Sequence, residues 1–111
     1  INNIDLVILG IGEDGHVASI FPKYLNLFNT ELLTAYTFQP ETFQPRLTIT
    51  GTIINNAKQI FIIATGKNKK EIVDIILHKK EGWKKLPAAY VKPINGKLTW
   101  LLDKDAADVE E

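Results

Sequence analysis

Two short, almost purely apolar runs, each stopped by a glycine, constrain the fold of this chain most strongly. Residues 5–9 (DLVIL) precede Gly10, and residues 59–65 (QIFIIAT) precede Gly66. Runs of this length and composition indicate strands that are buried on both faces, as in parallel sheets. Helix-like and strand-like segments alternate along the rest of the chain. We therefore predict an α/β layer fold with a mostly parallel sheet.

The other predicted elements rest on local patterns of apolar, turn-forming and helix-capping residues. They are a helical turn over 17–21 closed by Pro22, an irregular surface connection over 23–45, a strand over 47–50, a helix over 52–58 with Thr52 as its N-cap, a helix over 68–80 ended by Gly82, strands over 88–91 and 98–102, and a tail helix from Lys104. The sequence shows no internal repeat and no domain boundary, so we expect one domain over residues 1–111.

Charge and composition narrow the classes of partner and location. The 13 basic and 13 acidic side chains cancel, which gives no reason to expect nucleic acid or a membrane as the main partner. The absence of cysteine excludes disulfide scaffolds and thiolate metal sites. No apolar run approaches the ~20 residues that span a bilayer, and the start does not resemble a signal peptide. We expect a cytoplasmic protein, and the absence of an initial methionine suggests a processed or truncated chain.

A glycine-rich loop follows the first predicted strand. Its pattern, Gly10-x-Gly12-x-x-Gly15, formally matches the dinucleotide-binding fingerprint. Three features argue against that function. Glu13 and Asp14 would repel a pyrophosphate, Pro22 cuts short the helix that the fingerprint requires, and no second strand with an acidic residue follows at the usual distance. We therefore expect no nucleotide cofactor.

The same loop can serve a catalytic purpose, because ligands of open α/β sheets bind at the carboxyl ends of the strands. Glycines there allow a close approach of backbone to substrate. His16 can act as a general base near neutral pH, and Asp14 can orient its imidazole. From spacing alone, a turn that carries a surface histidine fits these residues equally well.

Residues 10–22 (GIGEDGHVASIFP) resemble the signature of the 6-phosphogluconolactonase family, which typically reads G-x-G-x-D-G-H-T-A-S-L-F-P. Val17 replaces the threonine, and any role of that hydroxyl in the family is lost here. Four further segments resemble the family's motifs in the same order. They are the arginine-led strand at 46–50, the strand ending in G-x-x-K at 61–69, the L-P-A-A segment at 86–89 and the L-T-W-L-L-D segment at 98–103.

Related glucosamine-6-phosphate deaminases share the G-x-G-x-D-G-H core but usually continue with I-A-F-N-E-P. Residues 18–22 (ASIFP) follow instead, and the deaminases' additional catalytic acid has no counterpart. The resemblance therefore favours the lactonase branch. Two alternatives remain open. One is a deaminase-like isomerase, and the other is a non-catalytic sugar-phosphate sensor, which would keep Lys69 but would not need His16.

The resemblance implies part of a Rossmann-like, mostly parallel sheet flanked by helices, and hydrolysis of 6-phospho-D-glucono-1,5-lactone without metal or cofactor. It implies that His16 is the base, with Asp14 orienting it. Substrate binding is expected at Gly12, Gly15, Arg46 and Lys69, although Lys69 also fits a solvated helix end and Arg46 a brace for its loop. The chain resembles the C-terminal half of the family, so we expect a sheet with an exposed edge and an open core.

Overall fold

The computed structural model describes residues 3–108, which form five strands and three α-helices joined by short 3-10 helices. In chain order the elements are β1 (Leu6–Gly10), β2 (Thr34–Phe38), β3 (Pro45–Ile49), α1 (Gly51–Asn55), β4 (Gln59–Ala64), α2 (Lys70–Leu77), β5 (Lys97–Leu102) and α3 (Lys104–Ala107). The 3-10 segments are Pro22–Phe28, Lys67–Lys69, Trp83–Lys85 and Pro87–Tyr90.

Strands β1, β4 and β5 form a parallel sheet in that spatial order. Leu6 pairs with Gln59 at one end of the β1–β4 ladder, and Gly10 pairs with Ile63 at the other. On the opposite side, β4 pairs with β5 from Gln59 to Ala64. The two glycine-stopped runs are thus neighbouring parallel strands. The predicted α/β fold, a mostly parallel sheet flanked by helices, is confirmed.

One face of this sheet carries the core. Its inward side chains pack against the apolar side of α2, together with the turn that follows the glycine loop. The buried members are Val7, Leu9, Val17, Ile20, Ile60, Ile62, Ala64, Ile72, Val73 and Ile76. Burial of these groups is the main source of stability for the fold.

The opposite face of the sheet is largely open among residues 3–108. Leu6 and Ile8 of β1 are 43% and 59% exposed, and Ile63 of β4 and Leu101 of β5 are also exposed. The prediction that both glycine-stopped runs are buried on two faces is therefore wrong for this part of the chain. The apolar composition of both faces is real, but only one face is covered by the described residues.

The segment 23–45 is not an irregular connection, as the sequence suggested. It begins with the 3-10 segment Pro22–Phe28 and ends in β2, which pairs with β3 as an antiparallel hairpin. Thr37 and Thr48 lie on its buried side, whereas Tyr36 and Leu47 form a cross-strand pair that is 76% and 68% exposed. Apolar side chains on the outer face hid the alternation that would have indicated a strand.

Several local predictions are also wrong. Pro22 begins a helical segment and does not close one, which suits its fixed φ at a first helical position. Residues 88–90 belong to the 3-10 turn that begins at Pro87, and Val91 follows that turn, so the strand predicted over 88–91 is not formed. Thr50, not Thr52, occupies the N-cap position of α1, and the Thr52 hydroxyl donates a hydrogen bond to the Thr30 carbonyl.

The predicted helix over 68–80 is shorter than expected, since α2 ends at Leu77 and the chain turns through Lys79 (φ 49°) before it reaches Gly82. The strand predicted at 98–102 and the helix beginning at Lys104 are confirmed. The end of the acidic tail, residues 109–111, lies outside the described residues. Within 3–108, no helix has the length and apolar character needed to cross a membrane.

Candidate active site

The glycine loop directly follows the carboxyl end of β1 and is closed by its own backbone. The Gly12 N–H donates to the His16 carbonyl at 2.9 Å, and the Gly15 N–H donates to the Gly12 carbonyl at 2.9 Å. The Gly15 carbonyl in turn accepts from the Ala88 N–H at 2.9 Å, which fastens the loop to the 3-10 turn. The N–H groups of both glycines are therefore used to shape the loop.

Two of the glycines are required by space or by backbone conformation. A Cβ on Gly12 would lie 2.1 Å from Cε1 and 2.2 Å from Nδ1 of His16, so the imidazole rests directly on this glycine. Gly15 has φ +83°, a region that disfavours side chains, and its Cβ would lie 2.9 Å from the Cβ of Leu86. Gly12 thus makes room for the imidazole, and Gly15 allows the turn.

His16 and Asp14 form the chemically distinctive pair of this loop. The Nδ1 atom of His16 lies 2.5 Å from Oδ1 of Asp14, and the same oxygen accepts the His16 backbone N–H at 3.0 Å. The ring also contacts Phe21, with centroids 4.9 Å apart. A proton on Nδ1, shared with the carboxylate, leaves the lone pair of Nε2 to accept a proton, as in other carboxylate-oriented histidine bases.

The loop borders a cleft of about 530 Å³ that extends along β1 to its carboxyl end. Gly12, His16 and Ala18 line it from the loop, and Lys69 lines it from the 3-10 segment after β4. Its size falls within the range usual for small-molecule sites. The structure therefore brings a candidate base and a cation to one cleft, although 53 positions separate them in the sequence.

Lys69 is the cation that faces this cleft without an ion-pair partner in the described part of the chain. Its neighbour Lys70 is paired with Asp108 at 3.0 Å. A second cleft, of about 320 Å³, lies between α2 and α3 and is lined by Lys70 and Asp108 but by none of the predicted site residues.

Of the predicted site residues, Gly12, His16 and Lys69 line the cleft, whereas Asp14, Gly15 and Arg46 do not. Arg46 lies on β3 opposite Thr37, on the inward side of the hairpin, and its Nη1 donates to Oε1 of Gln44 at 3.0 Å. In this structure the guanidinium is therefore hydrogen-bonded within the end of its own hairpin.

The sequence reasoning missed an acidic residue that holds the lysine-bearing loop. Asp103 follows β5, and its carboxylate accepts the Gly66 N–H (3.0 and 3.1 Å to its two oxygens) and the Ala106 N–H (2.8 Å). It thereby caps α3 and fixes the turn that leads to Lys69. The signal was an aspartate between a strand and a helix, the usual N-cap arrangement.

Within residues 3–108, no group of three or more His, Asp or Glu side chains is placed to hold a metal ion.

Comparisons with known proteins agree with the geometry. Residues 1–100 match the family model described as glucosamine-6-phosphate isomerases/6-phosphogluconolactonase. The probable 6-phosphogluconolactonase 2 of Oryza sativa subsp. indica is 41% identical over 108 residues, covering 93% of this chain and 39% of the relative. The 6-phosphogluconolactonase of Bos taurus is 42% identical over 104 residues, covering 93% and 40%.

A solved 6-phosphogluconolactonase from Trypanosoma brucei superposes with a TM-score of 0.80 at 33% identity, covering 97% of this chain and 43% of that one. The chain thus spans about two fifths of the length of the curated relatives that it matches. The resemblance inferred from the glycine-loop signature is confirmed by a family match that extends from β1 into β5. The chain belongs to the glucosamine-6-phosphate isomerase/6-phosphogluconolactonase family.

Proposed function

We propose that this chain carries the water-activating part of a 6-phosphogluconolactonase, which hydrolyses 6-phospho-D-glucono-1,5-lactone to 6-phosphogluconate. The observation that carries the proposal is the Asp14–His16 pair at the edge of a cleft that Lys69 also lines. The names of the similar proteins from rice and cattle support the same reaction. Residues 18–22, which lack the acid of the deaminase motif, favour hydrolysis over deamination.

In the proposed reaction, His16 is the general base. Its Nε2 takes a proton from a water molecule as the water oxygen attacks C1 of the lactone. The tetrahedral intermediate then collapses, the bond between C1 and the ring oxygen breaks, and the proton held by His16 passes to that oxygen. Asp14 holds Nδ1–H throughout and stabilises the imidazolium that forms between the two transfers.

Lys69 is proposed to bind the phosphate. It lines the cleft and has no ion-pair partner among residues 3–108, and a phosphate carries about two negative charges. Gly12 and Gly15 are assigned the shaping of the loop, because their N–H groups are already bonded within it. Arg46 is assigned to bracing the hairpin, through its hydrogen bond to Gln44.

The proposed partner is thus a small phosphorylated sugar lactone, with no role for nucleic acid or membrane. We also propose a cytoplasmic location. A phosphorylated lactone is too polar to cross a bilayer unaided, so the enzyme must share the compartment in which the lactone is made. The composition, with balanced charge and no cysteine, is compatible with that location.

The test is hydrolysis of freshly prepared 6-phosphogluconolactone by the intact gene product, with spontaneous hydrolysis subtracted. A His16→Asn variant should lower kcat roughly 100- to 10,000-fold, the usual contribution of a positioned base. A Lys69→Ala variant should chiefly raise KM. Full activity of His16→Asn would remove His16 from the chemistry. Binding of sugar phosphate without turnover would indicate a sensor, and ammonia release from glucosamine 6-phosphate would indicate a deaminase.

A further inference from the structure

The turn that follows His16 is tight and conformationally strained. Val17 and Ile20 are completely buried, and the Ile20 N–H donates to the Val17 carbonyl at 2.9 Å. Between them, Ala18 has φ 51°, a left-handed conformation that a residue with a Cβ adopts rarely. Such a conformation persists only where the surrounding structure enforces it. The same Ala18 lines the cleft beside His16.

The β2–β3 hairpin provides that enforcement through two buried hydroxyl groups. The Thr37 hydroxyl donates to the Ser19 carbonyl at 2.7 Å, and the Ser19 N–H donates to the Thr48 hydroxyl oxygen at 3.1 Å. The Thr48 hydroxyl in turn donates to the Ile49 carbonyl at 2.9 Å. Both backbone polar groups of Ser19 are therefore held by side chains from the hairpin, one from each strand.

These two threonines are placed where apolar side chains would be expected. Thr37 is 0% exposed and Thr48 is 4% exposed, and valine would fill the same volume without a polar group to satisfy. A buried hydroxyl is unfavourable unless it is hydrogen-bonded. Here both hydroxyl groups form a hydrogen bond with the backbone of Ser19, in the turn beside the candidate base, and neither bonds the partner strand. This arrangement indicates a role in holding that turn.

We propose that Thr37 and Thr48 are positioning residues that fix His16 by clamping Ser19, so that the hairpin sets the geometry of the catalytic loop. We refer to Thr37, Thr48 and Ser19 as the hydroxyl clamp. The effect of the clamp on catalysis rests on the proposed lactonase function, whereas its effect on the position of the His16 imidazole does not. Thr37 and Thr48 do not touch the substrate, and they act through the turn at Ala18.

The first test compares Thr37→Val with Thr37→Ser in the intact gene product. Loss of the hydroxyl should lower kcat on the order of 10- to 100-fold, the range expected when a catalytic group is displaced by up to about 1 Å. KM should change less than about twofold, because substrate contacts are intact. Thr37→Ser should restore kcat. Thr34→Val is the matched control, since Thr34 is exposed on the same strand and belongs to no part of the site.

The second test uses the strain at Ala18. Ala18→Gly removes the penalty for the left-handed conformation, so the turn then needs less support from the hairpin. In an Ala18→Gly background, Thr37→Val should therefore cost several-fold less kcat than it does in the parent. Equal losses in both backgrounds would show that Thr37 does not act through this turn. Should Thr37→Val fail to fold, Thr48→Val in the same two backgrounds tests whether the hairpin hydroxyl groups act through the turn at Ala18.

A third readout separates failure of the clamp from failure of the lactonase assignment. The imidazole Cε1–H signal of His16 in NMR spectra should shift in Thr37→Val and return in Thr37→Ser, whatever the reaction is. An inactive parent whose His16 signal behaves in this way would refute the lactonase and retain the clamp. A folded Thr37→Val protein with parental kcat and an unmoved His16 signal would overturn the clamp.

Discussion

Replacing Gly12 by alanine tests the arrangement of the candidate site most directly, because it adds a single methyl group beneath the imidazole of His16. The new Cβ would lie 2.1 Å from Cε1 and 2.9 Å from Oδ1 of Asp14. Carbon atoms in contact are normally about 3.5 Å apart, so the ring must retreat by roughly 1.4 Å. The short bond between Nδ1 and the carboxylate cannot survive such a shift without rearrangement of Asp14.

The expected result is a large loss of activity with a small loss of stability. A displacement of about 1 Å at a catalytic group can cost on the order of 100-fold in rate, and we expect a fall in kcat of at least that size. His16 and Asp14 are 35% and 41% exposed, so solvent screens their interaction and its contribution to folding is small. We expect the free energy of unfolding to fall by less than about 1 kcal/mol. For a domain of this size, 1 kcal/mol corresponds to roughly 4–8 °C in Tm, so the fall in Tm should be smaller than that.

The assay measures hydrolysis of fresh 6-phosphogluconolactone by the intact gene product, alongside a thermal melt and the NMR signals of His16. Gly10→Ala is the matched control for the melt and the NMR signals, because a Cβ at Gly10 would meet nothing within 4 Å. It should leave both unchanged. If Gly12→Ala kept its kcat within about threefold of the parent, a shift of the imidazole would be without consequence, and His16 could not be the base.

Three further changes test other parts of the structure. Asp103→Ala, which removes the acceptor of the Gly66 N–H, should raise KM for the phosphorylated lactone more than for unphosphorylated gluconolactone, and equal effects on both would contradict its assigned role in placing the lysine loop. Gly15→Ala should lower Tm more than Gly82→Ala, because both have positive φ but only Gly15 also meets Leu86, and equal melts would refute that crowding. Hydrogen bonds from Lys80 and His78 hold the pKa of Asp74 below its ordinary value of 3.8. The stabilising effect of Asp74 should therefore be complete above pH 3.8 and fade as pH falls through the lowered pKa. The unfolding free energies of the parent and an Asp74→Asn variant should then become more alike as the solution is acidified, and a constant difference between them would disprove this effect.

The sequence predicted the structure best at residue types with a single common structural role, such as a glycine that ends a buried strand. Glycines after apolar runs located the carboxyl ends of β1 and β4. The resemblance to the family's G-x-x-K motif indicated Lys69, which lines the same cleft as His16. Of the hairpin, β3 was predicted as a strand over 47–50, but β2 was missed because Tyr36 and Phe38 are exposed apolar side chains, so β2 lacks the usual contrast between a polar and an apolar face. The hydroxyl clamp was not visible either, since a buried threonine and an exposed one look alike in a sequence.

Lys69 and Arg46 show the same limit for the candidate site. Both are cations next to a strand end in the sequence, and both were expected at the substrate. In the structure Lys69 lines the cleft, whereas Arg46 is turned to Gln44 at the end of its own hairpin. The difference arises from tertiary packing, because the carboxyl ends of parallel strands converge on one edge, and the antiparallel hairpin follows another direction.

The pairing of β1 with β4 also has a consequence for how the protein is made. Leu6 must find Gln59, so the first strand cannot enter the sheet until the ribosome has released the chain beyond the intervening hairpin. During that interval Val7 and Leu9 lack the neighbouring strand β4, and exposed apolar side chains of this kind are surfaces on which a nascent-chain chaperone can act. The glycine loop is therefore synthesised before β4, and it acquires its geometry only after the second glycine-stopped strand has docked beside the first.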